Sequence, residues 1–237
     1  INRGEKEGCL KVKLYFNPDL AKRVCTAKYV HSRGACADII TEAADDGYDR
    51  LIEPSIEREV RAILTDRASE QAIKMFEVNL RPLLLQPPVK GKVTLGLDPG
   101  YRTGCKVAVV DPTGKVLATS VIYPVPPHNK TEESKKIIKD LIVKCDVNVI
   151  AIGNGTASKE TEIFVAELLK EIDADVSYAV VNEAGASVYS ASPLAVEEFP
   201  DYDLTLRSAI SIARRLQDPL AELIKIDPKS IGVGQYQ

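Results

Sequence analysis

Val93-Thr-Leu-Gly-Leu-Asp-Pro-Gly-Tyr-Arg-Thr-Gly-Cys-Lys-Val-Ala-Val-Val-Asp111 is the stretch on which the fold turns. Residues 93–98 and 106–111 are short apolar runs of strand composition, and the Pro-Gly and Thr-Gly pairs between them punctuate a loop. Immediately downstream, Asp111-Pro-Thr-Gly114 carries Pro at the second and Gly at the fourth position of a tight turn, and residues 116–123 read as a third strand. Three strands joined in this way make an antiparallel meander. The pattern then alternates: a helix over 132–144, a buried strand over 147–152, a helix over 158–172, a strand over 176–181, and helical segments over 194–199 and 204–217. This predicts an α/β domain, a mixed five-stranded sheet with helices on both faces.

Upstream, Gln86-Pro-Pro88 and Lys90-Gly-Lys92 form a linker-like break, which places a domain boundary near 88–92. Before it, residues 10–16 alternate apolar and basic side chains, the period of a half-buried strand. Residues 35–52 read as a helix. A long amphipathic helix starts near Pro54, with Glu57 and Glu59 opposing its dipole, and is expected to break at Pro82. The expected organisation is therefore residues 1–88 as a mainly helical segment with one N-terminal strand, 89–220 as the α/β domain, and 221–237 as the start of a connection. The first residue is Ile1 and the last segment has no polar tail, so an excised piece of a longer protein is expected.

Composition bounds the function classes. Of 237 residues, 45% are hydrophobic and 27% charged, which is ordinary globular usage and excludes disorder. No apolar run approaches the roughly 20 residues that span a bilayer, and no signal-peptide core is present, so a soluble cytoplasmic protein without membrane contact is expected. A net charge of −3 argues against a charge-driven nucleic-acid coat; any such affinity must come from local patches. Five cysteines without a C-x-x-C pair fit reduced thiols. Cys25, His31 and Cys36 are read as packing and surface residues, not as a metal site.

Chemistry in such sheets gathers at the carboxyl ends of the parallel strands. The first strand ends in Leu97-Asp-Pro-Gly-Tyr-Arg-Thr-Gly104, the fourth in Gly153-Asn-Gly-Thr156, the fifth in Asn182-Glu-Ala-Gly185. Asp-Pro-Gly alone is common turn chemistry. Three polar exits at one rim point to a binding site, in which a carboxylate can hold a divalent cation and glycine-flanked amides can face a phosphate. Asp98, Asn154 and Glu183 should converge there. The last helix adds Asp203, Arg207, Ser211, Arg214, Arg215 and Asp218; Arg207, Ser211, Arg214 and Asp218 share one face. Asp218 can equally cap a new helix beginning at Pro219.

These residues resemble a known family. The three strand-exit motifs, with Val181-Asn-Glu-Ala-Gly-Ala-Ser-Val-Tyr-Ser190 and Ser211-Ile-Ala-Arg-Arg-Leu-Gln-Asp-Pro-Leu-Ala-Glu222, are similar in order and spacing to the Tex family of bacterial transcription accessory proteins. The resemblance extends through Ile226-Asp-Pro-Lys-Ser-Ile-Gly-Val-Gly-Gln-Tyr-Gln237 and back to Asn2-Arg-Gly-Glu-Lys-Glu-Gly8. It implies that residues 89–220 are a YqgF domain with the ribonuclease H-like fold of RuvC-type resolvases, and that 221–237 lead toward a helix-hairpin-helix region. It implies nucleic acid as partner, RNA or single-stranded DNA, alongside the transcription machinery. Candidate contacts to phosphate are Gly100, Arg102, Thr103, Asn154, Thr156, Arg207, Arg214 and Arg215.

Ribonuclease H-like nucleases hold two metal ions about 4 Å apart with three or four carboxylates. By the resemblance Asp98 fills the first-strand position and can hold Mg²⁺ or Mn²⁺, but the fourth strand ends in the neutral Asn154, and Arg207 stands where the last helix should carry an acid. The expectation is a degenerate nuclease that requires no cofactor. The alternative is an active metal-dependent nuclease using Asp98, Glu183 and Asp218. Asp98-x-Gly100 and Gly153-x-Gly-Thr156 also resemble actin-like phosphate loops, but those proteins clamp nucleotide between two such subdomains and one is present here.

Overall fold

A computed structural model describes residues 1–31, 34 and 36–231. The chain divides into two compact units, Ile1–Met75 and Phe76–Gln237.

Within the first unit, helices α1 (Asn2–Lys6), α2 (Pro18–Tyr29) and α3 (Ala37–Gly47) precede a π-helical turn (Tyr48–Ile52) and the start of α4 (Glu53–Leu84). α2 is set by its first residues: Asn17 Oδ1 accepts from the amides of Asp19 and Leu20, and Pro18 occupies the first helical position. The strand expected over residues 10–16 does not form. A strand needs a partner edge, and here the Val12 amide donates to the Glu5 carboxylate while its carbonyl accepts from Arg61 Nη2, so side chains take the groups a ladder would use. The helix expected from Ala35 is described from Ala37 to Gly47; Ala35 itself lies outside the described residues. Tyr48 is the one buried hydrophobic residue among the described residues of this unit.

α4 runs past Pro82 to Leu84. Proline removes one backbone donor, but Leu80, Leu83 and Leu84 pack against Tyr189, Leu223 and Ile226, and their burial offsets the loss.

The second unit is built on a five-stranded sheet of order β3-β2-β1-β4-β5, from β1 (Thr94–Asp98), β2 (Cys105–Val110), β3 (Val116–Ile122), β4 (Val149–Gly153) and β5 (Ser177–Val181). β2 is antiparallel to β1 and β3; β4 is parallel to β1 and to β5. This is the ribonuclease H-like arrangement expected. One face carries Leu95, Leu97, Val107, Val109, Ile150 and Ile152 against α5 (Thr131–Cys145) and α6 (Ser158–Lys170), through Ile138, Ile142, Phe164, Val165 and Leu168. The other face carries Ala108, Val110 and Ala151 against α9 (Leu204–Gln217), through Ala209, Ile210, Ile212 and Ala213. Between them lie α7 (Ala186–Ser190) and α8 (Pro193–Glu198); α10 (Pro219–Leu223) and α11 (Pro228–Ile231) follow.

Two details fix α9 on the sheet. Gly96 faces it, and a Cβ there would lie 2.4 Å from the Ala209 carbonyl oxygen, so only glycine permits the close approach. At its far end, Gln217 Nε2 donates to the carbonyls of Lys92 (2.9 Å) and Asp111 (2.8 Å), and the Val89 amide donates to the Leu216 carbonyl at 3.0 Å.

Candidate functional site

Because β1, β4 and β5 are parallel, with Leu97 opposite Ile152 and Gly153 opposite Val181, their exits share one edge. Asp98, Asn154 and Glu183 meet there. The Glu183 amide donates to Asn154 Oδ1 at 3.0 Å, and the Gly155 amide donates back to the Glu183 carboxylate, so the two loops lock reciprocally. That carboxylate lies over Gly153 and Gly155, where any side chain would collide with it. Asp98 is close enough to Glu183 for their charges to interact, and the Ser208 hydroxyl of α9 hydrogen-bonds Asp98.

Burial pushes both carboxyls above their ordinary values. For Asp98 the Ser208 hydrogen bond and the Lys106 charge oppose that rise; for Glu183 the neighbouring Asp98 adds to it, while the Gly155 amide and Arg215 oppose it. Lys106 stands directly opposite Asp98 in the β1–β2 ladder, 9% exposed, with its ammonium donating to the Thr103 carbonyl.

The remaining expected residues are distributed differently. Gly100, Arg102 and Thr103 lie in the β1–β2 loop at the same edge; Arg102 and Thr103 are exposed, and the Arg102 carbonyl is 3.2 Å from His128 Nε2. Thr156 is exposed in the β4–α6 loop. Arg207 does not replace a carboxylate at the rim: its Nε donates to the Phe199 carbonyl at 3.0 Å. Arg214 pairs with Glu222 at 3.1 Å and covers the Phe199 ring. Arg215 is 2% exposed, and its Nη1 donates to the Asn182 and Ala184 carbonyls, the residues either side of Glu183; burial lowers its pKa to about 10.

Asp218 is not brought to the rim. It caps α10 by accepting from the Ala221 amide, and it lines a cavity of about 260 Å³ with Lys90, Pro112, Gly114 and Gln217, at the sheet end opposite Asp98. Asp203 caps α9 through the Leu206 amide.

Ser208 and Lys106 are the rim residues missed from sequence. Reading only strand exits overlooks Lys106, the second residue of β2, although the hairpin register sets it across from Asp98. Ser208 falls one residue after Arg207, so a shift of one helical position exchanges a guanidinium for a hydroxyl.

Among the described residues no three His, Cys, Asp or Glu side chains converge as a metal-binding group. The donor set of two carboxylates, a hydroxyl and an amide oxygen, with a lysine beside it, does not fit a pair of hard divalent cations.

A family model described as "Tex protein YqgF-like domain" matches residues 92–217. Bacillus subtilis YdcI is 56% identical over 238 residues, covering 100% of this chain and 33% of the relative. The transcriptional accessory protein Tex of Neisseria gonorrhoeae is 46% identical over 244 residues (100% and 32%), and human S1 RNA-binding domain-containing protein 1 is 44% identical over 247 residues (100% and 25%). The chain thus spans a third or less of these relatives. A crystal structure of fowlpox virus resolvase with Holliday junction DNA is matched with a TM-score of 0.36 and 10% identity, over 54% of this chain and 98% of that one. With the YqgF-like model covering more than half of its residues, the chain belongs to the Tex family.

Proposed function

We propose that the chain is a nucleic-acid-binding module of a cytoplasmic transcription accessory protein, whose ribonuclease H-like domain has exchanged nuclease chemistry for binding. One observation carries this reading: the rim offers two carboxylates, Asp98 and Glu183, and each already has an intramolecular hydrogen-bond donor. Two-metal phosphodiester cleavage needs a third acid to bring both ions to the reacting oxygens. Asp218, the remaining acid of the nuclease alternative, is engaged as a helix cap.

The relatives' names support the binding half, since one is an S1 RNA-binding domain protein and another a transcriptional accessory protein. Among the expected cations, Arg102 is exposed and its guanidinium has no hydrogen bond or ion pair among the described residues, so it is the group freest to meet a phosphate. Among the described residues no helix is long and apolar enough to cross a membrane.

The test is a titration with labelled single- and double-stranded RNA and DNA, in EDTA and then with Mg²⁺ or Mn²⁺. Weak binding that falls with salt, by a slope near −0.9 per neutralised phosphate on B-DNA, and no cleavage is the expected result. Metal-dependent cleavage abolished by Asp98→Ala would replace this reading with the nuclease alternative.

A further inference from the structure

We propose that the Lys106 ammonium is the resident counter-charge of the rim, standing in for the divalent cation, so that the Asp98–Glu183 site is complete without metal. The inference rests on the binding-module reading above and identifies what made the metal dispensable.

The position of Lys106 is dictated by the sheet. Asp98 and Lys106 are directly opposite in an antiparallel pair, which puts their side chains on the same face with Cβ atoms about 5 Å apart. Strand alternation groups Lys106 with Ala108 and Val110, both packed on the α9 side. That is the side on which Ser208 reaches Asp98. At 9% exposure the lysine is not a solvated surface charge, and its ammonium donates to the Thr103 carbonyl in the loop that follows Asp98. A cation so buried persists where anions balance it. Here its field acts on Asp98 and on Asp203.

Each oxygen-bearing group of the rim also has a partner within the chain. Ser208 bonds Asp98, Gly155 bonds Glu183, and the Asn154 oxygen accepts from the Glu183 amide. An entering hard cation has to compete with these partners and sit beside a like charge. Lysine and hydroxyl together therefore do electrostatically what a metal does in a complete carboxylate set, while closing the site to it.

The experiment uses the 237-residue chain, titrated with Mn²⁺ in the absence of nucleic acid and followed by thermal melting and by water-proton relaxation of the ion. The unsubstituted chain should show no change in Tm and no bound Mn²⁺. Lys106→Met keeps the aliphatic stem and removes the charge. It should gain Mn²⁺ binding and a Tm rise of about 2–4 °C once the metal exceeds its Kd about fivefold. Asp98→Asn in that background should remove the gain, and Lys106→Arg should show none.

Lys106→Gln, with folding checked by circular dichroism, is the second neutral variant. If both neutral variants are unfolded until Mn²⁺ is added, the proposal is supported; if they stay unfolded with it, or fold and bind nothing, it is wrong. Mn²⁺ binding by the unsubstituted chain that Asp98→Asn abolishes also overturns it. Binding to nucleic acid in EDTA is a separate measurement, so loss of this proposal leaves the binding-module reading standing, and failure of that titration leaves the metal result intact.

Discussion

Gly96 shows how far a single residue decides the site's geometry. With its hypothetical Cβ 2.4 Å from a backbone oxygen and 2.8 Å from the Ala213 Cβ, Gly96→Ala has no flexible neighbour to displace. The substitution should lower stability by about 1–3 kcal/mol, read as a fall in the urea midpoint, and should loosen Ser208 from Asp98 because both depend on where α9 rests. The rim carboxylates make a second prediction at this scale. Folding raises the pKa of Asp98 above 3.8, chiefly through burial, so the folded state binds the proton more tightly than the unfolded one. That contribution is full below the ordinary value and is lost as pH rises through the raised one. Asp98→Asn, which is never charged, should therefore gain stability relative to the parent as pH increases across that window. Urea unfolding at a series of pH values measures it, and a gap that narrows instead would contradict the assignment. Asp98 was legible as a strand exit and Asn154 and Glu183 likewise, because exits follow from strand placement alone. Ser208 and Lys106 were not, because they depend on register and on a helix's rotation about its axis.

At the scale of elements, α9 was legible in its bounds, 204–217, closed by the Asp218-Pro219 stop; the structure adds Asp203 as its N-cap. Residues 10–16 carried an equally clean strand pattern and formed none, since alternation describes a surface and says nothing of a partner for it. α2 shows in the sequence only through its Asn17-Pro18 start, and α7 not at all, because five residues carry too little periodicity. The loop between β5 and α7 gives the prediction here. Arg215 fastens it by donating to the Asn182 and Ala184 carbonyls, while its Nε and Nη2 find no partner. Arg215→Met relieves a buried charge but orphans those carbonyls, so the global cost should be modest and the local one larger. Amide exchange at Ala184 and Ala186 should quicken about tenfold or more, the equivalent of a lost hydrogen bond to a charged donor. Unchanged protection there would mean the loop is held by Asn154 and Gly155 alone.

Across the whole molecule, the described residues of the first unit bury one hydrophobic side chain, Tyr48, whereas the second unit encloses a continuous core on both faces of its sheet. Burial of this kind supplies most of the folding free energy, so the two units should differ sharply in stability. Calorimetry of this chain should show two transitions, with amides of α2 and α3 exchanging well before those of β1 and β4; one coincident transition would refute it. The sequence break at 86–92 located the start of the sheet, while the compact units divide earlier, between Met75 and Phe76, because the last turns of α4 bury Leu80, Leu83 and Leu84 with α7 and α10.

The clasp at the base of the sheet bears on how this domain carries mechanical load. The chain reaches the sheet past Val89 and Lys92 and leaves α9 at Leu216 and Gln217; Val89 is joined to Leu216 and Lys92 to Gln217 by hydrogen bonds of 2.9–3.0 Å. Tension applied between residues 89 and 217 should therefore load these bonds before it loads the strands, as force along a cord is taken by a knot before the bead that hangs from it. The rim of Asp98 and Glu183, at the opposite end of β1, should feel such pulling last, and the geometry that holds its two carboxylates should outlast the opening of the clasp.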